Sequence, residues 1–514
     1  MTARGVDVVW FKRDLRVSDH PALCAALRNA VSRGHQLLCL YVHEPSLTTS
    51  AEFDPRHQRF IAESLSELDT NLRQRGARLT QRTGEWPEVL FDLDRELEGH
   101  GGVSSLWSHE ETGLEVTYAR DRRVARAMRE RGLPWTELPQ RGVFRALRQR
   151  DGWAGRWRRR TERDPLPAPD SIPGVDPAGA CFDHGSTPEA ATLGLAPAPE
   201  RDQQAGGEAE ALLTLKSFLT ERGEHYQRAM SSPLEGATAC SRVSAHLAWG
   251  TLSSTQALRL AHLARERHRQ LRSEGAARWR GSIEAFTSRL AWRDHFTQKL
   301  ESEPAIEFRN MNRAFDGMRE DDFDDARFEA FTRGETGFPF VDACVRSLEA
   351  TGWLNFRMRA MLVSFLAWDL WLHWRRPAVW MAARFLDFEP GIHFAQLQMQ
   401  SGTAGINTTR IYNPMKQQRD QDPDGVFVRR WVPEIAALDD EFLAEPWKTP
   451  PLTQRMAGCV IGADYPEPIV DHAAAIREAK RRLSVVKRHP QTRAMSRDVF
   501  ERHGSRRGPR GRAS

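Results

Sequence analysis

Eight prolines crowd into the stretch between Pro165 and Pro199, and the hydrophobic patterning differs on its two sides. Proline removes a backbone donor and pushes the residue before it out of the helical region, so this stretch reads as a connector between two folding units. Upstream, short β-rich runs alternate with helical spacing. Val6–Phe11 and 36–42 read as strands around a helix over Pro21–Arg33, and a helix over 56–75, a strand over 103–107 and a helix over 118–132 follow. That order predicts a parallel, Rossmann-like α/β sheet over residues 1–135. Downstream, the spacing predicts helices over 211–222, 253–270, 282–302, 338–350 and 356–374 with almost no strand, hence an all-helical domain over 208–489. Residues 136–207 make the connector, and 490–514, rich in Arg, Gly, Ser and Pro, are expected to be a disordered basic tail.

Charge and cysteine usage exclude several classes. Mean hydropathy is −0.58, and the N-terminal apolar run stops at Lys12-Arg13-Asp14, which fits neither a membrane span nor a secretory leader. A cytoplasmic protein, nucleoid-associated when on DNA, is expected. The six cysteines are scattered without a CxxC pair, so no metal is expected. Net charge is +5, but residues from Lys480 onward carry +10 and the rest sums to −5. Basic charge is thus concentrated at the C-terminus, where Arg502, Arg506, Arg507, Arg510 and Arg512 either add phosphate contacts or form a solvated, dispensable end. No G-x-G-x-x-G loop follows the first strand, so the α/β pattern does not imply a nicotinamide cofactor.

The chain has 16 tryptophans against 5 tyrosines, ten of the former between Trp249 and Trp447. Most such rings pack helix against helix; others can stack on bases or relay electrons. Ser241, Arg242, Val243 and Ser244 lie at the start of a predicted helix, where hydroxyls and a guanidinium suit a diphosphate; the same spacing equally makes an ordinary helix cap.

Seven ordered blocks resemble the photolyase/cryptochrome flavoproteins: VVWFKRDLRVSDHPAL, CSRVSAHLAWGTLS, LAWRDHF, GETGFPFVDACVRSLEATGWLNFRMRAM, FLDFEPGIHF, RIYNPMKQ and FVRRWVPE. The pattern is most similar to a divergent bacterial branch called new photolyases. The resemblance implies FAD held in the helical domain and light-driven splitting of cyclobutane pyrimidine dimers in UV-damaged DNA by a monomer. Ser241, Arg242, Val243 and Ser244 would line the FAD phosphates beside Tyr226. Arg359 would pair with Asp387 at the isoalloxazine ring, and Glu389 would stand near its imide edge. Trp292 would touch the cofactor site and stack on the flipped lesion, with Arg293 beside it.

Several positions depart from the family pattern. His393 falls where an Asn usually faces flavin N5, and is expected to donate to N5 or supply a proton. The innermost tryptophan of the electron relay is Leu397, Trp374 fits the second member, and a bypass would run through Trp353, Trp368 or Trp371. Arg289, Phe356 and Met399 replace lesion-pocket residues, whereas Asn355 and Gln398 could supply amide contacts. Phe356 and Ala360 stand where enzymes acting on (6-4) photoproducts carry histidines, which leaves cyclobutane dimers. The usual folate-binding acid aligns with Leu114, beside Glu110 to Gly113, so no antenna chromophore is expected. The alternative function is a cryptochrome-like photoreceptor without efficient repair. A flavin oxidoreductase would need a pyridine-nucleotide motif that the sequence lacks.

Overall fold

Val6–Phe11 is buried at every position, as expected for a strand covered on both faces. It forms β1, the central strand of a five-stranded sheet in the computed structural model, which describes residues 5–197, 203–271 and 275–504. The chain continues through α1 (Pro21–Arg33), β2 (Gln36–His43), α2 (Pro55–Arg73), β3 (Leu79–Thr83), α3 (Glu88–Glu96), β4 (Val103–His109), α4 (Glu115–Glu130) and β5 (Trp135–Leu138). All pairings are parallel and the order is β3-β2-β1-β4-β5. The expected sheet is present. Two strands escape the apolar pattern: β3 reads LTQRT and β5 WTEL, edge strands whose exposed faces carry polar residues.

The connector is more than a linker. Its backbone is tied to β2 by Leu37 N–H to Pro173 O and to the loop after α2 by Ile172 N–H to Arg75 O. It also forms a helix, α5 (Trp153–Thr161), whose Trp153 and Trp157 are buried while Arg158 and Arg159 face solvent. Trp157 donates its indole N–H to Asp294 in the helical domain, 2.9 Å away.

That second domain includes α6 (Glu208–Ser217), α7 (Ser244–Trp249), α8 (Ser254–Gln270), α9 (Ala276–Ser302), α10 (Pro339–Thr351), α11 (Phe356–Ser364), α12 (Arg375–Arg384), α13 (Pro390–Ser401), α14 (His472–Arg488) and α15 (Pro490–His503). The helix expected over 356–374 ends as α11 and one wider turn over Phe365–Asp369, because Trp371 adopts a left-handed backbone conformation, φ 55°. The disordered tail expected from residue 490 is also corrected: α15 spans Pro490–His503 and buries Val499 and His503. Residues 505–514, with Arg506, Arg507, Arg510 and Arg512, lie outside the described residues. No described helix is long and apolar enough to cross a membrane.

The two domains are joined by buried polar contacts at the loop after β1. Arg16 donates to Gly250 O at 2.7 Å, Ser253 to Asp19 at 2.5 Å, and Glu208 accepts the N–H groups of Val17 and Ser18. Such desolvated contacts fix the orientation of α7, which opens the candidate site.

Candidate cofactor and substrate site

Helices α7, α9, α11 and α13 surround a cavity of ≈ 530 Å³. Helical period decides which side chains reach it. On α13 the positions separated by three or four residues, His393, Gln396, Leu397 and Gln400, line the wall. On α9 the same rule selects Phe286, Arg289, Leu290 and Arg293.

At one end, Ser241 to Ser244 line the cavity together with Tyr226. Arg242 holds φ +60°, a conformation rare for a residue with a β-carbon, and its guanidinium lies 4.0 Å from the centre of the Trp353 ring. Burial lowers the Arg242 pKa to about 10, against the opposing pull of Asp387. The loop's carbonyls are held from behind: Arg222 donates to Thr238 O at 2.7 Å and Ser241 O at 2.9 Å, and also to Cys240 O. Sequence reading missed Arg222, because its role is set by carbonyls sixteen to nineteen residues away. Burial raises Tyr226 to about 12, against a smaller opposing pull from Arg289.

In the cavity wall, Arg359 grips Asp387 through two hydrogen bonds of 3.0 and 2.8 Å. Burial alone would raise the Asp387 carboxyl; Arg359, the Ser244 hydroxyl and Arg242 together hold it below the ordinary value. Glu389 shows the same balance, its burial outweighed by Arg141, Arg293 and Arg13. It binds Arg141 of the connector and Arg293 of α9, the latter at 2.9 Å. Arg293 also donates to Leu247 O at 2.7 Å. Expected beside the lesion, this side chain is instead consumed in a buried network that ties α7, α9 and Glu389 together.

His393 is corrected in its chemistry. It lines the cavity, and burial lowers its pKa to about 4, so the ring is neutral. Its Nε2 lies 2.8 Å from Ala378 O. A carbonyl can only accept, so Nε2 carries the ring's single hydrogen and Nδ1 keeps its lone pair. The expected donor or proton source is an acceptor.

Two side chains of α13 lie outside the cavity for reasons of helix phase. Gln398 points away from the cavity and is fully used, accepting from Met311 N–H at 2.6 Å and donating to Ile306 O and Arg309 O at 2.8 Å each. Met399 packs in a separate apolar cluster with Ile392 and Ile406. Trp292 is 41% exposed and contacts His295 and Phe296, outside the cavity lining. Trp374 is buried away from the cavity, with its indole N–H on Asn310 and its ring 6.4 Å from Phe394. Leu397 does line the cavity, as does Trp353.

The remaining wall carries polar atoms that lack partners within the protein. Asn355 donates to Met230 O, leaving Oδ1 free, and Arg357 Nε, Glu389 Oε1 and Gln396 Oε1 are likewise buried and unpaired. Buried polar groups are nearly always satisfied, so four orphans around one cavity indicate a polar ligand. Together with aromatic walls from Phe286, Trp353, Phe385 and Phe388, this donor set fits a large ring-bearing cofactor with phosphates, as FAD is. The mouth carries Phe356, 49% exposed, with Arg289 5.9 Å from its ring centre.

Two further clusters of buried side chains lie in the α/β domain. Leu114, Glu111 and Gly113 line a smaller cavity of ≈ 90 Å³ at the ends of β1 and β2, where Glu111 is bound by Arg120 at 2.5 Å. Asp14, His20 and His109 are clustered as metal ligands can be. However, His20 Nδ1 accepts from Leu23 N–H and His109 Nε2 from Ala22 N–H, and His109 Nδ1 donates to Asp14 at 2.6 Å. A backbone N–H thus takes up a ring nitrogen of each histidine.

A parallel α/β domain fastened to a helical domain, whose cavity combines a hydroxyl-lined loop with an Arg–Asp pair between aromatic walls, defines a protein built to hold a flavin-type cofactor. Family models agree: residues 7–151 match the model described as DNA photolyase, and residues 286–485 that described as the FAD binding domain of DNA photolyase. The chain is 33% identical over 505 residues to a cryptochrome DASH of Gloeobacter violaceus, covering 92% of this chain and 95% of that protein. It is 29% identical over 501 residues to a deoxyribodipyrimidine photo-lyase of Agrobacterium fabrum, covering 94% and 98%. Among solved structures, a bacterial class III photolyase from Agrobacterium tumefaciens superimposes with a TM-score of 0.79 at 26% identity, over 95% of this chain and 99% of that one. The chain belongs to the DNA photolyase/cryptochrome family.

Proposed function

We propose that this protein is a light-dependent DNA repair lyase that splits cyclobutane pyrimidine dimers. The observation that carries the reading is the open, cationic mouth over the cavity. Arg289, Arg357 and Arg410 line it, the first and last of them exposed, beside the exposed ring of Phe356. FAD bound in the cavity would supply light-driven electron transfer to the dimer.

The chain's own residues then divide the work. The Ser241–Ser244 loop and Arg242 hold the phosphates. Arg359 offers positive charge along the cavity wall, and Asp387 fixes its orientation. His393 Nδ1 accepts a hydrogen bond and cannot donate one while Nε2 serves Ala378. The guanidinium groups at the mouth bind phosphates of the duplex, and Phe356 offers an extruded base its face. Asn355 Oδ1 is an available acceptor for a thymine imide N–H.

A photoreceptor is the second reading, favoured by the Arg289–Phe356 stack across the mouth and by the placement of Trp292 outside it. Blue-light turnover of a defined dimer oligonucleotide by chemically reduced, FAD-loaded protein separates the two. Dimer loss that needs both light and FAD supports repair; no turnover with confirmed reduced FAD moves the function to light sensing.

A further inference from the structure

On the side of α9 facing away from the cavity, four basic side chains are gathered with one acid, Glu303, at their outer edge. Arg150 comes from the connector, His295 and Lys299 from α9, and His503 from the last turn of α15. Lys299 is 4% exposed, and among the described residues no hydrogen bond or ion pair holds its ammonium; its recorded contact is the Phe296 ring, 4.7 Å from Nζ to centre. Arg150 is equally buried. It donates Nη2 to His295 Nδ1 at 2.6 Å, while Nη1 has no partner. His503 is fully buried, bound through Nε2 to Glu303 at 2.7 Å, with Nδ1 unpaired. Glu303 is shared with Arg502 at the surface, so it serves the outer edge of the cluster.

These groups are close enough to oppose one another's charge. Burial first, then Arg150, lowers Lys299 to about 7, and burial followed by Lys299, Arg150 and His503 lowers His295 to about 2. Buried charges are retained when they are paired, and an unpaired cation beside an unsatisfied guanidinium N–H calls for an anion. An unpartnered guanidinium N–H and an ammonium together match the several acceptors of an oxyanion better than a spherical halide.

We propose that Arg150 and Lys299, enclosed by His295 and by His503 of α15, form a buried site for a small oxyanion of the phosphate class. The bound anion joins connector, α9 and C-terminal helix. It lies beneath Trp292, whose ring is 5.5 Å from that of His295, so the same helix presents the anion site on one face and Arg289 on another.

The experiment titrates inorganic phosphate into the full-length FAD-loaded protein by calorimetry at constant ionic strength in chloride. One saturable site is expected, with affinity weakened at least about tenfold by Lys299→Met and by Arg150→Gln, each of which removes a charged donor. Phosphate should raise Tm of the wild type and leave that of Lys299→Met unmoved, a comparison that holds even if the variant's own Tm differs. Absence of saturable binding to the wild type, or equal affinity in both variants, overturns the proposal. A 5′-phosphorylated trinucleotide distinguishes sources: no competition identifies the free ion, and competition identifies a nucleic-acid end as the supplier of the same group.

Discussion

Lys299 makes the most direct test at the scale of one residue. Its folded pKa of about 7 lies below the ordinary lysine value of 10.5, so between these limits the unfolded chain binds one proton more than the folded one. Stability contributed by this group therefore rises with pH across that window, by up to about 1.4 kcal/mol per unit, and is flat below it. Urea unfolding from pH 7 to 10 in phosphate-free buffer should show that slope in the wild type and a shallower one in Lys299→Met. Equal slopes would place the Lys299 ammonium in a solvated environment. Asp387 behaves oppositely, as a carboxylate whose partners hold its charge. Asp387→Asn leaves Arg359 without its counter-ion, and a weakening of FAD retention by about 1–3 kcal/mol, roughly 5- to 150-fold, is expected from flavin absorbance after dialysis. The Arg359–Asp387 pair was legible in the sequence, because the motif blocks fix both positions. Arg293 was legible as a neighbour of Trp292 but not in its role, since Glu389, 96 residues away, determines that role.

At the scale of the element, helix phase governs both what was legible and what was not. The sequence places α13 near the cofactor, but sequence neighbours such as Leu397, Gln398 and Met399 diverge by about 100° each. Only the packed helix shows that His393, Gln396, Leu397 and Gln400 share the cavity face. The two glutamines should consequently respond differently. Gln398→Ala removes the acceptor of the buried Met311 N–H and should cost about 1–3 kcal/mol of stability, read as a lowered urea midpoint. Gln396→Ala removes an orphan carbonyl and should weaken FAD affinity while leaving the midpoint within about 0.5 kcal/mol of wild type. A reversal of these two effects would turn α13 about its axis. At the mouth, α11 presents Phe356 where α9 holds Trp292 outside the lining, so Phe356→Ala should weaken dimer-DNA binding by about 1–3 kcal/mol in fluorescence anisotropy, and Trp292→Ala by less.

For the whole molecule, the division into an α/β domain, a proline-rich connector and a helical domain was legible because chain-wide patterning encodes it. The C-terminus was misread because α15 is polar almost throughout and is anchored by few side chains. Val499 sits among Phe296, Leu300 and Met311, while His503 reaches Glu303 at the end of α9. Composition resembles that of a solvated tail, and the anchoring contacts are made to residues about 200 positions earlier in the chain. Two truncations separate anchoring from charge. Ending the chain after His489 strips α15, exposes that apolar cluster and leaves Glu303 without His503, so the thermal midpoint should fall by several degrees. Ending it after Gly504 keeps α15 and removes Arg506, Arg507, Arg510 and Arg512. That shorter cut should leave the midpoint unchanged. If these arginines contact DNA, the slope of log affinity against log salt should become shallower by about 0.9 for each phosphate lost, and an unchanged slope assigns DNA binding wholly to the cationic mouth of the cavity.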